Sequence, residues 1–295
     1  MRYTNIETST TTSELANEPV SANWNYTVEA TRLHDSEGNA TSFIGNRRAD
    51  TNQVIGVRTN RYGIVQNRDL LGSAENLFNA HSMGGWSRKT VVTHGGARMY
   101  ALYDFRDQSV TVAKGDNLFL RLKVQNSFDG SLGASFTVGM FRLVCSNGLA
   151  LPVNTISLAK KHTTSLDVDF MSKGITRALL SFKDSVPFLT RMTEVAVTRQ
   201  QGITAIENLV KRGELSARMS KEIVAKWESP TYEQDSPRTA WSLYNAATEY
   251  LTHDVAPKRF ELAEKVTASF ASALRKGGMM EGQGLYIPQS EAVAV

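Results

Sequence analysis

Only one cysteine, Cys145, occurs in the 295 residues. That excludes an internal disulfide framework and a multi-cysteine zinc site, and it fits a reducing compartment. No apolar run reaches the roughly 18 residues that a membrane-spanning helix needs. The opening residues, MRYTNIETSTTTSELANEP, lack the apolar segment of a secretory signal. A cytoplasmic protein with no membrane partner is therefore expected. The five histidines (His34, His81, His94, His162 and His253) have no metal-ligand spacing. Neither GxxxxGK nor a GxGxxG following a strand is present, so no phosphate-cradling loop is legible. The composition implies no cofactor and no catalytic constellation. Cys145 falls at the end of an apolar strand, where cysteine behaves as a small hydrophobe.

What is present is an ordinary globular composition, 41% hydrophobic and 21% charged. Its most ordered stretch runs from Asn117 to Pro152. Leu118, Leu120, Leu122 and Val124 alternate with Phe119, Arg121 and Lys123, the period of a half-buried strand. Asn126, Ser127, Asp129, Gly130 and Ser131 then supply turn chemistry. A second extended run, Ala134 to Cys145, is apolar on both faces. The unit reads as a hairpin in the middle of a sheet.

Residues 1–22 are rich in Thr, Ser, Glu and Asn and are expected to form a disordered arm. Residues 23–160 read as an antiparallel sheet core with one helix. Trp24 to Ala30 opens it, Asp35 to Asn46 reads as loop, and Val54 to Val65 as strand, turn, strand. A helix with Asn67 as N-cap follows. Strands Trp86–His94 and Arg98–Phe105 then lead, through a Gly95–Gly96 turn, to the central hairpin. Residues 161–276 show helical periodicity, with Pro187 expected to kink or restart a helix, and 277–295 read as a tail. The fold class is α+β: an antiparallel β-meander packed against helices, followed by a helical C-terminal part.

The net charge of +4 is unevenly spread: −3 over 1–53, +6 over 54–160, +4 over 161–227 and −3 over 228–295. A basic excess in the sheet and the helices after it points to a polyanionic partner. Arg88, Lys89, Arg98, Arg121, Lys123 and Arg142 all fall on expected strands, with Trp86, Tyr100 and Phe119 interleaved. Guanidinium and ammonium groups neutralise phosphates while rings stack bases, the combination that suits single-stranded nucleic acid. The same residues also suit an ordinary solvated sheet face. In the Asn126–Ser131 loop, Asn126 and Asp129 offer cation ligands or a base, but these residue types are equally what a tight loop requires.

Four pieces resemble a family of uncharacterised phage and plasmid proteins, domain of unknown function 932. They are Tyr62-Gly63-Ile64-Val65-Gln66-Asn67, Gln125-Asn126-Ser127-Phe128-Asp129-Gly130-Ser131, Phe141-Arg142-Leu143-Val144-Cys145-Ser146-Asn147 and Thr239-Ala240-Trp241-Ser242-Leu243-Tyr244-Asn245-Ala246. This chain has Phe128 where the family loop carries histidine, which argues against a base or metal ligand there. The resemblance implies a mobile-element origin and no reaction. The order of a helix (Glu75–Phe78), Gly85–Trp86 and strands such as Arg98–Phe105 also looks like the core of single-strand annealing recombinases, which assemble into rings or filaments. The expected function is single-stranded DNA binding and annealing by a homo-oligomer, without covalent chemistry. The alternatives are a host-takeover or anti-defence protein that holds a protein partner, and a metal-dependent enzyme built on Asn126 and Asp129.

Overall fold

A computed structural model describes residues 4–9, 23–142, 147–149 and 175–275, the last with gaps at 177–179, 181 and 185. Among the described residues nine strands form two sheets. β2 (Val28–His34), β3 (Ala40–Arg48) and β4 (Val54–Thr59) make a three-stranded antiparallel sheet. The larger sheet contains β1 (Thr4–Ser9), β5 (Trp86–Thr93), β6 (Arg98–Ala113), β7 (Asp116–Ser127), β8 (Ser135–Arg142) and β9 (Asn147–Leu149). Its order is β1-β5-β6-β7-β8-β9, so β5 to β9 lie side by side in chain order. The expected α+β meander is present, and the Asn117–Pro152 hairpin supplies the interior strands β7 and β8.

Alternation explains β7 directly. Leu118, Leu120, Leu122 and Val124 are fully buried, while Phe119, Arg121 and Lys123 are half-buried. Four buried aliphatic side chains contribute about 1.5–3 kcal/mol each, which pins the register of the strand. β6 is longer than expected: it continues past Phe105 through the polar Arg106–Ser109 and turns at Lys114–Gly115 into β7. A ladder satisfies backbone groups whatever the side chains, so polarity does not end the strand.

Three other readings change. Thr4–Ser9, placed by composition in an unstructured arm, pairs antiparallel with β5. Its Thr4, Ile6 and Thr8 are β-branched residues that favour a pleated backbone once an edge is offered. Most of Asp35–Asn46 is strand, not loop: only Asp35–Asn39 turns, with the Asp35 carboxylate accepting from the Glu37 and Asn39 amides. Polar Thr41 and Ser42 lie on an exposed stretch of β3 and hide the pattern. After β4 no second strand forms before α1 (Asn67–Ala80). Asn67 is not the N-cap; Gln66 holds that position without a side-chain cap, and the buried Asn67 amide is used in tertiary bonds.

The helical part contains α2 (Val186–Glu194), α3 (Arg199–Lys211), α4 (Ala217–Glu228), α5 (Ala240–Glu249) and α6 (Ala256–Arg275). Pro187 sits in the first turn of α2, where its missing N–H costs nothing. Every residue of α5 is buried, so it is the core helix of its region. Its start is capped by Thr239, which exchanges bonds with Ser242. The described residues divide between two units, one drawn from 1–108, 121–138 and 156–179 and the other from 109–120, 139–155 and 180–295. The expected boundary at residue 160 lies outside the described residues.

Candidate functional site

The cations expected on the sheet are committed to internal partners. Arg88 is 8% exposed; it pairs with Glu75, and Tyr103 donates to the same carboxylate at 2.8 Å. The Arg88 guanidinium also lies 4.5 Å from the Trp24 ring centre. Arg121 forms a two-pronged pair with Asp104, its Nη2 at 2.7 Å, and the Arg98 Nε donates to Asp129 at 2.9 Å. Arg142 is wholly buried between Asp116 and Asp235. Lys89 and Lys123 are half-buried. The rings are packed too. Trp86 meets Phe78 and Tyr103 edge-on, Phe119 stacks on Phe141 at 5.3 Å, and Tyr100 is buried. The expected array of free cations and open rings is therefore not what these nine residues form. A cation on a covered strand must be paired, because an unpaired buried charge is too costly.

The structure instead joins the distinctive sequence pieces in pairs. In the first unit the Tyr62–Asn67 segment is fastened to the Asn126–Ser131 loop. Fully buried Asn126 donates to the Val65 carbonyl and to Asn67 Oδ1, both at 2.9 Å. Asn67 donates to the Trp24 carbonyl at 2.9 Å, and the Gln66 amide brackets both backbone groups of Val28. Tyr62 donates its hydroxyl hydrogen to the Ser127 carbonyl at 2.7 Å. The loop is held from beneath by Asn46, which donates to the Phe128 carbonyl at 2.6 Å. Gly56 on β4 is needed here, since a Cβ would come within 2.2 Å of that same oxygen. Phe128, standing where the resembled loop carries histidine, is a core ring 6.0 Å from Tyr26.

Asp129 caps its own turn. It accepts from the Ser131 amide at 2.9 Å and from the Ser131 hydroxyl, besides Arg98. Burial alone would raise its pKa, but the Ser131 and Arg98 bonds outweigh that and hold the carboxyl below the usual range. An acid so fully engaged is a poor base. Among the described residues no three His, Cys, Asp or Glu side chains group as a metal site. Tyr62 is pushed up to about 12, chiefly by burial, so it stays a neutral donor.

Arg58 differs from every strand arginine above. Its guanidinium lies over Gly130, where a Cβ would meet its Nε at 2.4 Å, and 5.9 Å from the Tyr62 ring centre. Gly130 has φ +66°, a conformation glycine adopts without cost. The Arg58 Nε is buried with no hydrogen-bond partner, as is the Arg88 Nε. What sets Arg58 apart is that, among the described residues, no carboxylate pairs with it. Asn46 Oδ1 and Asn126 Oδ1 nearby are also unpartnered but are acceptors and offer an anion nothing. In the register of the small sheet, Arg32 lies opposite Ile44 and Ile44 opposite Arg58, so both arginines share a face. Chemically, this cluster can hold an anion rather than make or break a bond. Sequence reasoning passed over Arg58 because its distinction, the lack of a partner, has no local signature.

In the second unit Arg142 is joined to the Thr239–Ala246 piece. Trp241 donates its indole hydrogen to Asp116 at 2.7 Å, and Asn245 donates to Asp235 at 2.8 Å. One guanidinium thus serves two buried carboxylates. Asp235 is raised by burial, and Arg142 only partly offsets it.

Architecture and site together define an α+β protein whose distinctive residues form two polar clusters, one of which includes a cation with no carboxylate partner among the described residues. The family model Domain of unknown function (DUF932) matches residues 54–274, and the chain belongs to that family. No curated protein and no solved structure matches it.

Proposed function

We propose that the protein is a nucleic-acid-binding protein of a phage or plasmid that holds single-stranded DNA, and promotes annealing, through the Arg58 cluster and without covalent chemistry. The observation carrying this reading is the Arg58 guanidinium, which pairs with no carboxylate among the described residues and is set over the Gly130 backbone beside Tyr62, with exposed Arg32 across the sheet. Two strand spacings separate Arg32 from Arg58, about 10 Å, so a flexible phosphate chain can meet both. The proposed setting is cytoplasmic, as a homo-oligomeric ring or filament. No helix among the described residues is long and apolar enough to cross a membrane. Titrating labelled single-stranded oligonucleotide at two salt concentrations tests the reading: binding should weaken steeply with salt. No binding at low salt, or binding indifferent to salt, overturns it.

A second reading, a host-takeover or anti-defence factor that holds a protein partner, is favoured by one observation. Phe43, Val54 and Val57 are 50%, 41% and 52% exposed. Register places Val57 opposite Gly45 and Phe43 two residues from it, while Val54 comes within 3.1 Å of a Cβ on Gly45. The three therefore share the outer face of the small sheet, an apolar patch of the kind that marks interaction sites. A stoichiometric partner retained after nuclease treatment and lost in Phe43→Asp would favour this reading over the first.

A further inference from the structure

The second unit holds a cavity of about 250 Å³ lined by Ser216, Arg218, Met219, Tyr250, Asp254, Val255, Arg259 and Leu262. It is built by an irregularity. After α5 the chain widens into a π-helical turn, Tyr250–Val255, before α6, and α6 departs from helical geometry at Arg259 (φ −146°, ψ 64°). Inserted π turns reduce backbone regularity and are found frequently at functional sites. Here the interruption falls at Arg259, which lines the cavity from α6 together with Leu262, while Arg218 lines it from the first turn of α4.

The charges of this cavity do not cancel internally. Among the described residues neither the Arg218 nor the Arg259 side chain has an ion pair or a hydrogen bond. The lining carboxylate, Asp254, lies 3.6 Å from Lys226, which also pairs with Glu249. Two guanidiniums thus line one small space with no protein counter-charge of their own among the described residues, and a phosphate accepts from each in two-pronged fashion. The rest of the lining includes apolar side chains, with Met219 and Val255 buried and Leu262 half-buried. A bare inorganic ion would leave them unused. An ester with a small organic body would cover them.

We propose that this cavity binds a small phosphomonoester, with the phosphate between Arg218 and Arg259 and the organic part against Met219, Val255 and Leu262. The site is independent of the Arg58 cluster, which belongs to the other unit. The shared chemistry is a terminal phosphate, supplied either by a free mononucleotide-sized ester or by the end of a phosphorylated strand.

Calorimetric titration of the full chain with inorganic phosphate, AMP and adenosine tests this. AMP should bind more tightly than phosphate, and adenosine should not bind. Arg218→Gln and Arg259→Gln should each weaken AMP about tenfold, and Arg→Lys at either position should weaken it less, since charge remains but the planar fork is lost. Both arginines are exposed, so the unliganded melting temperature should hold and shows that the variants are folded. Arg58→Gln should leave AMP binding unchanged, which separates this site from the oligonucleotide site. Competition with AMP by a 5′-phosphorylated oligonucleotide in the Arg58→Gln background assigns the phosphate to a strand end, and absence of competition assigns it to a free ester. Undetectable binding of both AMP and phosphate, or AMP affinity untouched by both Gln variants, overturns the proposal.

Discussion

Arg142 and Arg58 both begin as cations on strands, and the molecule treats them in opposite ways. Arg142 is wholly buried with two carboxylates, an indole donor and an amide arranged around it. Arg58 is half-buried over a glycine and pairs with no carboxylate among the described residues. A cation surrounded by its own counter-charges has nothing left to offer a ligand. One kept without them retains its field and its donors, at a cost to stability that a ligand would relieve. The comparison separates arginines that support the scaffold from arginines available to a partner, and composition cannot make that separation.

The largest expected effect falls on the first kind. Arg142→Met leaves Asp116 and Asp235 buried without their counter-charge and should cost about 3–5 kcal/mol. Urea denaturation reads this, and a loss below about 1 kcal/mol would show that the cluster does not hold the second unit together. Next in size is Gly56→Ala, whose Cβ would meet backbone rather than a movable side chain. A loss of about 1–3 kcal/mol is expected, together with weaker oligonucleotide binding as the loop shifts.

Arg58→Gln breaks the comparison most directly. Stability should change by no more than about 0.5 kcal/mol, because no ion pair is lost, while oligonucleotide affinity falls about tenfold. If the variant unfolds as Arg142→Met does, the two arginines belong to one class and the distinction fails. Arg121→Gln is the control: it removes the Asp104 pair and should lower stability while leaving the salt dependence of binding unchanged.

The smallest effect is in pH. The folded Asp129 carboxyl lies below its ordinary value of 3.8. Its contribution is therefore fully present above that value and is lost as pH falls through the depressed folded value. Partial exposure keeps it under about 1 kcal/mol. Asp129→Asn should flatten the acid limb of the stability curve; an unchanged limb would mean that the Ser131 and Arg98 bonds do not favour the ionised form.

Much of the sheet is legible in the chain. Leu118 to Val124 alternate because one face of β7 is buried and the other half-covered, and periodicity reports burial. β3 escaped because both faces of its first half are open: Thr41, Ser42 and Phe43 are all exposed, so the residues follow no core pattern. The pairing of Arg142 with Asp116 and Asp235 spans 26 and 93 residues, and no local rule joins residues so far apart. Likewise Asn126 and Asn67 each read as turn or cap residues, since their local chemistry suits both. Only the folded chain shows them bonded to one another.

By itself the sequence determined the α+β class, the meander and its central hairpin, the main helices and the family, because local periodicity and short motifs carry those signals along the chain. Which cations are neutralised and which are left exposed to a ligand was decided only in three dimensions. A charge becomes structural or available according to what lies within a few ångströms of it, and those neighbours come from distant parts of the chain.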